Sequence, residues 1–261
     1  MRPERETLRI AAVQADLVWH DPKANMKSLS EMIADIDRAD LIILPEMFTS
    51  GFTMDPAGIA EPDGGPVWDW LAEMSSSADA AICGSVAAVE NGDFFNRFLW
   101  AQDGKTRAVY DKRHLFRMAG EHEVYSPGKG SVHIELGGFK ILPRICYDLR
   151  FPVWNRDREA HLQIYVANWP APRVDAWDKL AAARSIENLC YTAVVNRVGT
   201  DGKGIAYPGH SAVYDFKGVP AVSAFHDRPC IITTDISRKE LDGFREKFPA
   251  HLDADDFTIK Y

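Results

Sequence analysis

The stretch Ile141-Leu142-Pro143-Arg144-Ile145-Cys146-Tyr147-Asp148-Leu149-Arg150-Phe151-Pro152 reads as a short apolar strand that runs into a sharp turn. Pro152 stands where a helix can begin, because its missing N–H and fixed φ suit a first helical position. Cys146 falls between the two, so its thiol is aimed outward rather than sunk in a strand. The N–H groups just after it have no carbonyl partner in the turn, which makes a main-chain donor site for an oxyanion. A free cysteine is also a good small hydrophobe, and a lone one at a strand end is inert more often than reactive. Its reading depends on what neighbouring segments deliver.

Two apolar runs on the N-terminal side end in charged residues. Leu41-Ile42-Ile43-Leu44 is wholly apolar, as a strand buried on both faces should be, and it ends at Pro45-Glu46. Residues 94–101 and 107–111 predict a hairpin around Gln102-Asp103-Gly104-Lys105, since Asp-Gly favours a tight turn. Its second strand delivers Lys112. A further hairpin, 132–136 and 139–145, turns at Gly137-Gly138 and delivers Cys146. Strand ends of α/β sheets are where ligand clefts form.

The rest of the chain alternates helix and strand. Residues 8–13 read as a first strand, and Asp21-Pro22 caps and opens a helix carrying Leu29, Met32, Ile33 and Ile36. Gly64-Gly65-Pro66 opens another with Val67, Leu71 and Met74, ahead of a buried strand over 80–87. A strand over 163–167 ends at Asn168-Trp169-Pro170. A helix over 174–189 follows, with Trp177, Leu180, Ala181, Arg184 and Asn188 on adjoining turns, and then a strand over 191–196. Residues 211–215 and 230–235 predict late strands around a Phe216-Lys217-Gly218 turn, before a short helix and an aromatic tail. This order predicts an α/β protein with helices outside and more than one sheet, or a mixed sheet, inside.

The 261 residues are 46% hydrophobic and 26% charged, enough for a full core. No linker or shift in composition divides them, so one domain over 1–261 is expected, its core about 8–247 and its tail 248–261 in packing or dimer contact. The net charge of −8, with scattered acids, disfavours a nucleic-acid or anionic-membrane partner. Cys83, Cys146, Cys190 and Cys230 lie far apart, with no CxxC pair and no zinc-type spacing, and read as reduced thiols. Met1-Arg2-Pro3-Glu4-Arg5-Glu6-Thr7 is polar, and no apolar run reaches membrane-spanning length, so a cytoplasmic protein is expected.

Taken singly, Glu46, Lys112 and Cys146 have ordinary explanations: a surface acid, one of a solvated Lys-Arg-His run, a core thiol. Together they carry a resemblance. Pro45-Glu46, Tyr110-Asp111-Lys112-Arg113-His114-Leu115-Phe116 and Ile145-Cys146-Tyr147-Asp148-Leu149-Arg150-Phe151-Pro152 resemble, in order, the three signature segments of the nitrilase superfamily of carbon–nitrogen hydrolases. Ile10-Ala11-Ala12-Val13-Gln14 is similar to that family's first strand and Arg184-Ser185-Ile186-Glu187-Asn188 to its late helix, so the resemblance covers nearly the whole chain. It implies a four-layer αββα sandwich. It also implies Glu46 as general base, Lys112 as oxyanion stabiliser and Cys146 as nucleophile, with no metal and no organic cofactor. A second glutamate follows the lysine in many members; Glu121 is the candidate and Glu123 the rival. A free thiol titrates near about 8.5, and Lys112 and Glu46 are expected to raise its thiolate fraction. The competing mechanism is a papain-like Cys/His site with His114, His122 or His210 as base, but the local Cys-Gly-Ser-Cys-Trp signature is absent.

The segments around Cys146, with Lys112-Arg113-His114-Leu115-Phe116 and Asn168-Trp169-Pro170-Ala171-Pro172-Arg173, look like the ω-amidase branch. That resemblance implies hydrolysis of the terminal amide of a small 2-oxo dicarboxylic acid monoamide, 2-oxoglutaramate or 2-oxosuccinamate. Other small amides and N-carbamoyl compounds are the alternative substrates, and a non-catalytic binding protein the alternative class. A substrate carboxylate calls for a bidentate arginine, and Arg173 is the candidate, set against a surface role at the start of its helix. Tyr147, Phe116, Trp169 and Phe52 are candidates for apolar walls, with Asn168 beside them. Arg150 and Glu187 are expected to pair near the site, with Arg184 joining. The resemblance further implies a homodimer or higher homo-oligomer, with the tail from Phe257 to Tyr261 crossing an interface.

Overall fold

The computed structural model describes residues 5–259. The first sheet takes β1 (Thr7–Gln14), β2 (Leu41–Ile43), the two-residue β3 (Glu61–Pro62), β4 (Ala81–Glu90), β5 (Asp93–Gln102) and β6 (Lys105–Asp111). The second takes β7 (Ile134–Leu136), β8 (Phe139–Ile145), β9 (Leu162–Ala167) and β10 (Tyr191–Asn196). After a separate ribbon of β11 (Val198–Thr200) and β12 (Ala206–Pro208), β13 (Ser211–Tyr214) and β14 (Pro220–Ala224) complete it. The next strand, β15 (Cys230–Ser237), returns to the first sheet and runs antiparallel to β1. The strand orders are β15-β1-β2-β4-β5-β6, with β3 on β4, and β14-β13-β10-β9-β8-β7.

Period-two alternation decides the layers. Along β1, Leu8, Ile10 and Ala12 face the core between the sheets, while Ala11 and Val13 face an outer cluster. Phe98 and Trp100 likewise point inward, and Leu99 and Ala101 outward. The outer cluster is closed by Leu29 and Ile33 of α1 (Pro22–Ala34) and by Val67 and Leu71 of α2 (Pro66–Ser77). Two short helices follow, α3 (Glu121–Val124) and α4 (Pro152–Asn155). On the other side, α5 (Val174–Asn188) buries Trp177 and Ala181 and packs on β10 and β13, and α6 (Arg238–Lys247) buries Leu241. The result is the expected αββα sandwich.

Turn chemistry sets the hairpins. Asp103 (φ 53°) and Gly104 (φ 70°), and Gly137 (φ 55°) and Gly138 (φ 84°), take the paired left-handed conformations that match strand twist. One expectation is corrected. The Phe216-Lys217-Gly218 turn joins β13 to β14, not to the strand beginning at Cys230, which crosses to the other sheet. Of the expected tail, Ile259 packs against the inter-sheet core and Phe257 is exposed; Lys260 and Tyr261 lie outside the described residues. Among the described residues, no helix is long and apolar enough to cross a membrane.

Candidate active site

The chain turns sharply where β8 ends. Cys146 opens a 3₁₀ turn, Cys146–Arg150, with φ 43°, a left-handed conformation that costs a non-glycine residue on the order of 1–3 kcal/mol. Such strain persists where the surroundings over-determine it. Asp148 Oδ2 accepts from the Ile145 N–H (3.1 Å) and the Tyr110 hydroxyl (2.7 Å), and Oδ1 accepts from the His114 N–H (3.0 Å). The His114 ring sits 2.8 Å from the same Oδ1 and stacks on Phe151. Buried Arg184 donates to the Leu149 carbonyl from Nε (3.0 Å) and Nη2 (2.8 Å). Asp148 therefore ties the Cys146 turn to the segment that carries Lys112.

Glu46, which follows β2, and Glu121, at the start of α3, flank Lys112. All three are buried. Lys112 Nζ donates to Glu46 Oε1 (2.9 Å) and to both oxygens of Glu121 (2.9 and 3.0 Å). Glu46 Oε2 accepts from the Asn168 N–H at 2.7 Å, and Asn168 Nδ2 donates to the Glu46 carbonyl at 2.6 Å. The Cys146 thiol lies 4.0 Å from the Asn168 carbonyl. Glu123, by contrast, is exposed.

Burial acts on each group and charge decides the outcome. For Lys112, burial favours the neutral amine, but Glu121 and Glu46 outweigh it and hold the ammonium well above the ordinary lysine range. Burial pushes the Glu121 carboxyl up, against the pull of Lys112 and with the help of Glu46. Burial and the Glu46 charge also push the Cys146 thiol well up, opposed by Lys112. Lys112 thus acts on the thiol in the expected direction, while Glu46, expected to act with it, acts against it together with burial.

Cys146 and Lys112 open onto a cavity of about 230 Å³. Tyr147, Phe116, Asn168, Trp169, Arg173 and Phe52 line it as well, so it gathers every wall residue expected from the sequence. Phe116 packs edge-on against Tyr147 at 5.0 Å, and Arg173, the half-buried N-cap residue of α5 with no side-chain cap hydrogen bond, lies over Phe116 at 5.1 Å. The Lys112 ammonium is 5.1 Å from the Phe52 ring.

The expected pairing of Arg150 with Glu187 is corrected. Glu187 binds Arg184 at 2.6 Å, while Arg150 lies over Trp169 at 4.8 Å and lines the cavity. No histidine lines it: His114 is held on Asp148 and His210 on Asp178, and His122 lies near exposed Glu123. Sequence reasoning missed Asn96, whose Nδ2 reaches Glu46 Oε1 at 2.7 Å and Glu121 Oε1 at 3.3 Å. An asparagine between the aromatic residues of β5, Phe94-Phe95 before it and Phe98 after Arg97, was the available signal. It also missed Met54, Met118, Asp201, Lys203 and Tyr207 of the wall, which sit on loops and short ribbon strands that periodicity does not place.

The model of the carbon–nitrogen hydrolase family matches residues 9–246. The chain belongs to that family. This carbon–nitrogen hydrolase is 45% identical over 254 residues to the omega-amidase YafV of Yersinia enterocolitica, covering 97% of this chain and 99% of the relative. It is 32% identical over 251 residues to the 2-oxoglutaramate amidase of Bacillus subtilis, covering 94% and 96%. Its structure matches XC1258 from Xanthomonas campestris, a CN-hydrolase superfamily protein with an arsenic adduct in the active site, with a TM-score of 0.95 and 43% identity over 98% of this chain and 100% of that one.

Proposed function

We propose that this carbon–nitrogen hydrolase is an ω-amidase, releasing ammonia from the terminal amide of a small 2-oxo dicarboxylic acid monoamide such as 2-oxoglutaramate. The observation that carries the reading is the lining of the cavity. It combines the thiol of Cys146 and the ammonium of Lys112 with aromatic and apolar walls and with the polar side chains Asn168, Asp201, Lys203, Arg150 and Arg173, cations outnumbering the one acid. An amide with a carboxylate at its far end fits that polarity, although the whole chain carries a net charge of −8. The names of the Yersinia and Bacillus relatives support the same substrate class.

In the proposed reaction Glu46 takes the Cys146 proton as sulfur adds to the amide carbon, so no resting thiolate is required. The oxyanion is met by the Lys112 ammonium and by the Tyr147 N–H, which stands in the first turn after β8 where no intrahelical carbonyl reaches it. Glu46 returns the proton to the leaving nitrogen, the C–N bond breaks, ammonia departs and a thioester remains. Water then gives its proton to Glu46 and its oxygen to the thioester carbon. Collapse releases the carboxylic acid and restores the thiol. Glu121 holds Lys112 together with Glu46 and has no separate proton-transfer step. None of these steps calls on a cofactor.

The reading extends to the whole chain as one domain with a core about 8–247, acting in the cytoplasm, where the four free cysteines stay reduced. It includes a homodimer or higher homo-oligomer with the tail 248–261 at a contact. The test is ammonia release from 2-oxoglutaramate by the wild type and Cys146→Ala, with glutamine, an N-carbamoyl amine and an aliphatic nitrile alongside. Turnover of the oxo-amide that falls at least about a thousandfold in Cys146→Ala is the expected result. Turnover of another compound in its place would discard the ω-amide assignment.

A further inference from the structure

Asn96 is fully buried on β5 and bonded to both carboxylates of the site. Its orientation is set by Glu46, because an ionised carboxylate only accepts, so the end 2.7 Å from Glu46 Oε1 is the amide NH₂. The opposite end is anomalous: Asn96 Oδ1 is buried with no hydrogen-bond partner among the described residues. A buried acceptor left unsatisfied is costly, and an apolar side chain of similar size would remove that cost. Its donor end therefore accounts for an asparagine here. The backbone adds a second tie, since the Lys112 N–H donates to the Asn96 carbonyl at 2.9 Å.

We propose that Asn96 is a positioning residue that keeps Glu46, rather than Glu121, as the ionised base of the carboxylate pair. The inference rests on the role of Glu46 given above. Lys112 reaches one oxygen of Glu46 and both of Glu121, so it cannot by itself favour Glu46. Asn96 can, standing 2.7 Å from Glu46 and 3.3 Å from Glu121. The Asn168 N–H adds to the same side, whereas Glu121 has the Phe116 N–H. The other groups that face Glu46 are the Cys146 thiol and the phenols of Tyr125 and Tyr207, all held neutral by burial. Asn96 thus places its closer donor contact on Glu46, beside the sulfur.

The test is the pH profile of kcat/KM in Asn96→Leu, which removes the donor and keeps the volume. Asn96→Ala is read the same way and guards against misfolding of the larger variant. A hydrogen bond to the ionised form lowers a carboxyl pKa, so its loss raises it. The acid limb, which belongs to the coupled pair, is expected to move up by about one pH unit. Acid-side activity then falls about tenfold beyond any loss on the plateau. An unmoved limb in a folded variant, with uniform loss or none, would make Asn96 merely structural and overturn the inference. Glu46→Gln, run in parallel, separates the reading beneath: full turnover by that variant would remove Glu46 as base whatever Asn96 does.

Discussion

Lys112 is a single ammonium buried between two carboxylates, and this dictates what happens when it is removed. Lys112→Met leaves the charge on the Glu46–Glu121 pair uncompensated. Breaking a buried ion pair from one side costs about 3–5 kcal/mol, so denaturant unfolding at neutral pH should show a loss of that order. The deficit should shrink as pH falls, because protonating a carboxyl removes the excess charge; a deficit independent of pH would contradict the charge assignment. Glu46, Lys112 and Cys146 were legible in the sequence as a set, because each follows closely on a strand and falls in one of three ordered motifs. Asn96 was not, since an asparagine inside a strand has many ordinary roles and only packing selects among them; Arg150 was placed near the site, but with the wrong partner.

At the scale of elements, the turn from Cys146 to Arg150 is held by side chains distant in sequence. Asp148 takes three N–H or O–H donors and faces a fourth group, the His114 ring. Asp148→Ala leaves the Ile145 and His114 N–H groups and the Tyr110 hydroxyl without their acceptor, at about 1–3 kcal/mol for each that stays buried. We expect a lower Tm together with a loss in kcat exceeding the change in KM, because the thiol moves relative to Lys112. An unaltered kcat in the folded variant would mean that the turn keeps its shape without Asp148. Strands with strong apolar runs, such as Tyr191–Asn196 and Phe139–Ile145, were readable to the residue. The ribbon Val198–Thr200 with Ala206–Pro208, and the strand Pro220–Ala224, were not, being short and partly exposed, with no clear alternation.

Across the whole molecule, two sheets share one inner core and rely on a few buried polar joints. His161 is one: its Nδ1 accepts the Lys140 N–H at 2.7 Å and must stay unprotonated to do so. Burial, reinforced by Arg238 and Arg245, lowers its pKa from the ordinary 6.5 to about 4. Between those values the unfolded chain binds the proton and the folded one does not, so this contribution to stability is lost as pH falls from about 6.5 towards 4. Urea unfolding across that window should show the slope, and His161→Gln should reduce it; an unchanged slope would contradict the assignment. The return of Cys230–Ser237 to the first sheet was not legible, because strand order depends on long-range pairing rather than on local pattern. The central claim for the molecule is a thioester on Cys146, and its most direct test is rapid acid quench of enzyme with 2-oxoglutaramate, followed by peptide mass analysis. The account predicts an adduct of substrate minus ammonia on the peptide bearing Cys146, absent in Cys146→Ala. Ammonia release without any adduct there, or with an adduct on another residue, would contradict it.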